Sequence, residues 1–169
     1  MKDSRFVFGE HIVPLKAPVD SAGTAYATPY LDLKGAVHAT LFAYFGVVTA
    51  ASADQNLILT VECSTAAASN ATEVAIAFKY RLSGATGTDT WGAITAATSA
   101  GVSLDTTTLD GKMIAIDIDC AALPLAHGQD DVRYIRLVNA IDAGGTVTLN
   151  AVWASLDPAY PQLTHQSAS

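Results

Sequence analysis

The chain is a train of short runs in which apolar and polar residues alternate, broken by turn formers about every ten residues. Such alternation puts successive side chains on opposite faces of a strand. Residues 36–48 carry Val37, Ala39, Leu41, Ala43 and Phe45 on one face and His38, Thr40, Phe42 and Tyr44 on the other. Both faces are partly apolar, which predicts a strand in the middle of a sheet. Residues 57–63 alternate again, and 75–82 (AIAFKYRL) return as a strand. Residues 83–89 are rich in turn formers and read as a hairpin-like loop with a short partner at 91–95. Residues 101–107 make a weaker strand, and Asp110-Gly111 between apolar runs is a hairpin cue. The cleanest alternation is 112–119 (KMIAIDID), with Ile114, Ile116 and Ile118 facing in and Ala115, Asp117 and Asp119 facing out. One helical turn is expected at 121–125, stopped by Pro124. Strands at 131–139 and 146–156 close the series, joined by a turn at 142–145.

This pattern predicts an all-β fold, a β-sandwich or jelly-roll-like barrel of about eight antiparallel strands with an extended N-terminal arm. The expected division is an arm over 1–29, a sandwich domain over 30–157 and a tail over 158–169. Within the arm, Pro14, Pro18 and Pro29 argue against a central strand. Yet Phe6, Phe8, Ile12, Val13 and Leu15 are too apolar to stay in water. These five are the candidate partner-binding residues. They dock either on a neighbour or on their own domain, with the small residues of 21–24 as a hinge.

At 169 residues the chain can bury roughly 70% of its unfolded surface in one domain, so stability requires no disulfide or metal. Half of the residues are hydrophobic and only 15% are charged, a balance suited to closely packed β surfaces. The net charge of −7 and the scatter of Lys and Arg leave no basic stripe for nucleic acid. There is likewise no polybasic run for an anionic membrane. Residues 35–53 are uncharged and long enough to span a bilayer, but they alternate like a strand and contain His38, so no membrane partner is expected. The charged start lacks a following apolar stretch, so no signal peptide is expected. Cys63 and Cys120 follow no metal spacing and read as buried thiols, with a disulfide as the alternative.

Candidate chemistry is sparse. His11, His38, His127 and His165 have no partner at metal spacing, and His38 reads as a core or interface histidine. Asp117, Asp119, Asp130 and Asp131 form an acidic group that reads as a solvated strand face rather than a Ca²⁺ site. A glycosidase reading of the same carboxylates would need geometry that sequence does not supply. Residues 83–87 are Gly-rich but lie between strands, without the helix N-terminus of a phosphate site. Trp91, Trp153, Tyr30, Tyr44 and Tyr80 could stack on a sugar, but are expected as buried aromatics of the sandwich. No enzymatic activity, cofactor or metal is expected.

The order of segments resembles a known family. The run Ala36-Val37-His38-Ala39-Thr40-Leu41-Phe42-Ala43-Tyr44-Phe45-Gly46 precedes the 57–63 strand and then Phe78-Lys79-Tyr80-Arg81. Thr88-Asp89-Thr90-Trp91, Leu109-Asp110-Gly111-Lys112-Met113-Ile114 and Val132-Arg133-Tyr134-Ile135-Arg136-Leu137 follow, before a last strand with a Pro-rich end. Over about residues 30–160 this is similar to the head decoration, or cement, proteins of tailed phages with HK97-type capsids. The resemblance implies a structural virion protein, made in the host cytoplasm and placed on the capsid exterior. It would bridge capsomers of the major capsid protein, as a homo-oligomer and by preference a trimer. No site residue is implied by it. The alternatives are a carbohydrate- or host-surface-binding module and a tail or neck component.

Overall fold

Alternation in the sequence becomes alternation in burial. Along Ala36–Phe45 the residues Ala39, Leu41, Ala43 and Phe45 are fully buried, while Thr40, Phe42 and Tyr44 are half-buried on the other side. Met113–Asp119 does the same with Ile114, Ile116 and Ile118 inward. The computed structural model describes residues 11–16, 25–46, 56–68, 72–84, 86–141 and 149–158. Within them lie twelve strands. They are β1 (His11–Lys16), β2 (Tyr26–Ala27), β3 (Leu31–Asp32), β4 (Ala36–Phe45), β5 (Asn56–Ser64) and β6 (Val74–Ile76). The series continues with β7 (Phe78–Leu82), β8 (Thr95–Ala97), β9 (Val102–Asp105), β10 (Met113–Asp119), β11 (Tyr134–Ile141) and β12 (Leu149–Pro158).

The strands form two antiparallel sheets. The first runs β1-β12-β4-β10-β7-β8 and is called the β4 sheet below. In the second, the β5 sheet, β11 and β5 are the central pair; β2 and β3 flank β11, and β6 and β9 flank β5. Taking β2 with β3 and β6 with β9 as interrupted strands leaves eight positions, apart from the inserted β7–β8 hairpin. Their order is 1-8-3-6 in one sheet and 2-7-4-5 in the other, which is the double Greek key of a jelly roll. The all-β sandwich expected from the sequence is therefore the fold. The core between the sheets is built from Leu41, Phe45, Leu57, Leu59, Ile114 and Leu137, together with smaller neighbours.

Three local expectations change. Residues 75–82 are not one strand: the chain leaves the β5 sheet after Ile76 and enters the β4 sheet at Phe78, with exposed Ala77 at the bend. Asp110-Gly111 is a turn, with Gly111 at φ 65, but it makes no hairpin. A 3-10 turn at Thr106–Thr108, capped by Asp105 accepting from the Thr107 N–H at 2.9 Å, and buried Leu109 carry the chain from one sheet to the other. Pro124 starts rather than stops a helix. It sits in the first turn of Leu123–His127, where its missing N–H has no helical partner to lose, and Gly128 at φ 82 ends the helix.

The sandwich also begins earlier than residue 30. β1 pairs with β12 at the edge of the β4 sheet, and β2 pairs with β11. Proline excludes a strand from the middle of a sheet but not from its edge. Pro14 accordingly lies in the edge strand, opposite Trp153.

Candidate functional site

Among the described residues most polar side chains are dispersed or paired with one another; the buried His127 Nδ1 and Asn139 Oδ1 are exceptions, without a hydrogen-bond partner. His38 is exposed and its Nδ1 lies 4.0 Å from Asp117 Oδ1, so it is not a core histidine. Asp117, Asp119, Asp130 and Asp131 are all exposed, in keeping with a solvated face. Asp119 Oδ1 accepts from the Ala121 N–H at 3.0 Å and caps the 3-10 turn Cys120–Ala122. Among the described residues, no three His, Cys, Asp or Glu side chains converge in a way that could hold a metal ion. No helix among them is long and apolar enough to cross a membrane. Cys63 and Cys120 are free thiols; Cys63 is buried and Cys120 partly so, and burial pushes each up to about 11.

On the outer face of the β5 sheet the charges pair with one another. Arg136 Nε donates to Glu62 Oε2 at 2.7 Å, and its Nη2 reaches Glu73 Oε1 at 3.2 Å. Tyr30 lies under the same guanidinium, 4.9 Å from ring centre to Cζ, and its hydroxyl donates to Glu73. Burial and that hydrogen bond push the Tyr30 phenol up to about 12. Arg133 grips Asp32 through two nitrogens and holds its carboxyl below the usual range.

The outer face of the β4 sheet is different. Cross-strand partners point the same way, so the register fixes which side chains form a row. One row runs Pro14, Trp153, Phe42, Ala115, Arg81 across five strands. The next runs Ile12, Ser155, Thr40, Asp117, Lys79, Ala96 across all six. A third holds Ala151, Tyr44 and Met113. Phe42 and Trp153 stack with centroids 5.5 Å apart and planes at 15°. Trp91 joins the third row through its bridge to Ser83 beside Met113. The result is an apolar, aromatic band on a solvent-facing sheet, with the cations confined to β7. A depression of about 290 Å³ opens over Thr40, Ala115 and Asp117, walled by Lys79, Arg81 and Ile94.

The aromatics expected in the core are therefore distributed over three places. Tyr30 is on the β5 sheet, and Tyr80, on β7 beside the edge strand β8, packs inward. Tyr44, Trp91 and Trp153 share the outer β4 face, and none of the five is fully buried. Of the candidate partner-binding residues, Phe6 and Phe8 lie outside the described residues. Leu15 is buried and Val13 packs on the core, so both dock on their own domain; Ile12 is 47% exposed on the outer face. The sequence places Ala115 facing out, as observed, but does not mark Phe42, Met113 and Arg81 as surface residues. Their signal was present in the long central strand, where aromatics occupy both faces although only one can line the core. Compared with protein-family models, curated proteins and solved structures, the chain matches none of them.

Proposed function

We propose that this chain is a structural assembly protein that decorates the exterior of a phage head and stabilises it by bridging neighbouring capsomers of the major capsid protein. The observation that carries an assembly role is the outer face of the β4 sheet. Aromatic side chains spread over adjacent strands favour protein contact, because they bury much area at little entropic cost. The resemblance in segment order supplies the capsid context, and β1 supports it. That strand, His11–Lys16, forms the sheet edge beside the aromatic band, and Phe6 and Phe8 precede it in sequence.

Co-sedimentation with capsids that lack the protein tests this reading. The full chain is expected to co-sediment and to raise the temperature at which the capsid melts. Removing residues 1–10 should weaken binding and leave the fold intact. Removing 1–18 deletes β1 with buried Leu15, so it should destabilise the sandwich by about 2–4 kcal/mol from lost burial alone. Absence of capsid binding by the folded full chain would defeat the proposal.

A second reading has one observation in its favour. Trp91 is 37% exposed beside exposed Ile94, which suits stacking on a sugar. Glycan binding that disappears in Trp91→Ala would select a carbohydrate-binding module instead.

A further inference from the structure

The outer face of the β4 sheet is self-complementary, and we propose that its occupant is a second copy of this chain, related by a two-fold axis parallel to the strands between β4 and β10. This inference rests on the reading of that face as an assembly surface and names what covers it.

The sheet order is β1-β12-β4-β10-β7-β8, so such an axis passes through its middle. Rotation exchanges β4 with β10, β12 with β7, and β1 with β8. Residues in one row then meet across the interface. Phe42 lies over Ala115 of the second copy, a large side chain over a small one. Trp153 lies over Arg81, the geometry of a cation–π contact. In the neighbouring rows Tyr44 meets Met113 and Ile12 meets Ala96, while His38 comes over Asp119. The exposed Ile94, 59% accessible just before β8, comes opposite Pro14.

Shape and charge both select this axis. The bulky side chains lie on β12 and β4, and the depression of about 290 Å³ lies over β10 and β7, so each copy offers both knob and hole. An axis in the plane of the sheet but perpendicular to the strands would set each strand against itself. Lys79 and Arg81 of the two copies would then face each other, and like charges in contact are repelled. The parallel axis instead sets them over Ser155 and Trp153. Six strands at about 4.8 Å and seven residues at about 3.3 Å give a footprint of about 670 Å² per copy. That is below the roughly 800 Å² per partner of a standard interface, so dimerisation should depend on concentration and be reinforced on a multivalent surface.

The axis predicts a cross-linking pattern that the perpendicular axis does not share, and the Ala115→Lys variant separates it from head-to-tail pairing of the edge strands β1 and β8, which leaves Ala115 uncovered. Face-packed sheets lie about 10 Å apart, so Ile12 of one copy and Ala96 of the other approach to about that distance, whereas two copies of either residue stay about 26 Å apart. Both positions are exposed and tolerate cysteine. An equimolar mixture of the full-length I12C and A96C variants, treated with a bis-maleimide of about 10 Å reach, should give cross-linked dimer. Each variant alone, and the wild-type chain with its own thiols, should not. Sedimentation velocity from micromolar to millimolar protein should show monomer and dimer, with Ala115→Lys at least tenfold weaker and unchanged by circular dichroism. Cross-links between identical positions, a trimer, or a monomer at every concentration would overturn the two-fold contact. Capsid co-sedimentation by a chain that stays monomeric would separate that failure from failure of the assembly reading.

Discussion

The two outer faces of this sandwich solve the same problem in opposite ways. On the β5 sheet, half-buried Arg136 sits between Glu62 and Glu73, and Arg133 closes on Asp32. Each charge there has its counter-charge within the same molecule, so the face is complete in water. On the β4 sheet, Phe42 and Trp153 shelter each other and are flanked by Tyr44, Met113 and Pro14, while Lys79 and Arg81 remain exposed at one side. That face leaves apolar area uncovered by the described residues, and the exposed Asp117 is the cross-strand neighbour of Lys79. A self-satisfied face gains little from a partner, because desolvating paired charges offsets what contact contributes. An aromatic face gains from every ångström covered. The asymmetry is the observation behind the proposal that the β4 face is the one a partner covers.

The contrast breaks most visibly at Arg136. Arg136→Ala leaves Glu62 and Glu73 facing each other with no cation between them, and should cost about 2 kcal/mol in chemical unfolding, with no change in oligomer mass. Phe42→Ala should behave in the opposite sense. Its ring is half-buried, so stability should fall by only about 1 kcal/mol, while association measured by sedimentation should be lost.

The smallest effect belongs to Asp32→Asn. The pair with Arg133 is more than a third exposed, so solvent screening limits it to about 0.5 kcal/mol. Its sign with pH is definite. The Arg133 hydrogen bond holds the Asp32 carboxyl below its ordinary value of 3.8, so the contribution is complete above that value and lost as pH falls through the lowered one. The difference in melting temperature between wild type and Asp32→Asn should therefore be constant near neutrality, begin to shrink below the ordinary value of 3.8 and close only once pH has passed the lowered one.

Strand positions were legible because period-two burial is a local property. The three Ile of β10 and the alternation of β4 and β5 needed no tertiary knowledge. Sheet membership was not local. Nothing in AIAFKYRL marks Ala77 as the point where the chain changes sheets, since both halves alternate in the same phase. β1 was hidden for a related reason: Pro14 excludes a central strand, and only the position of β12 reveals the edge that accepts it. The candidate site was half legible. Aromatics on both faces of β4 were visible in the sequence, but they fit a doubly covered central strand equally well. Only the register shows that Trp153, Phe42 and Ala115 form one half-buried row on the outer face of the sheet. Tyr30, Glu62, Glu73 and Arg136 come from four segments of the chain, and pairing across the sheet assembled them.

The central claim is that the aromatic face becomes covered in function and the ion-paired face does not. Hydroxyl-radical footprinting of the dispersed and the assembled protein tests it most directly. Met113, Trp153 and Phe42 should lose reactivity on assembly, while Tyr134 and Tyr30 on the β5 sheet keep theirs. Protection of Tyr134 and Tyr30 with Met113 and Trp153 unchanged would contradict the account.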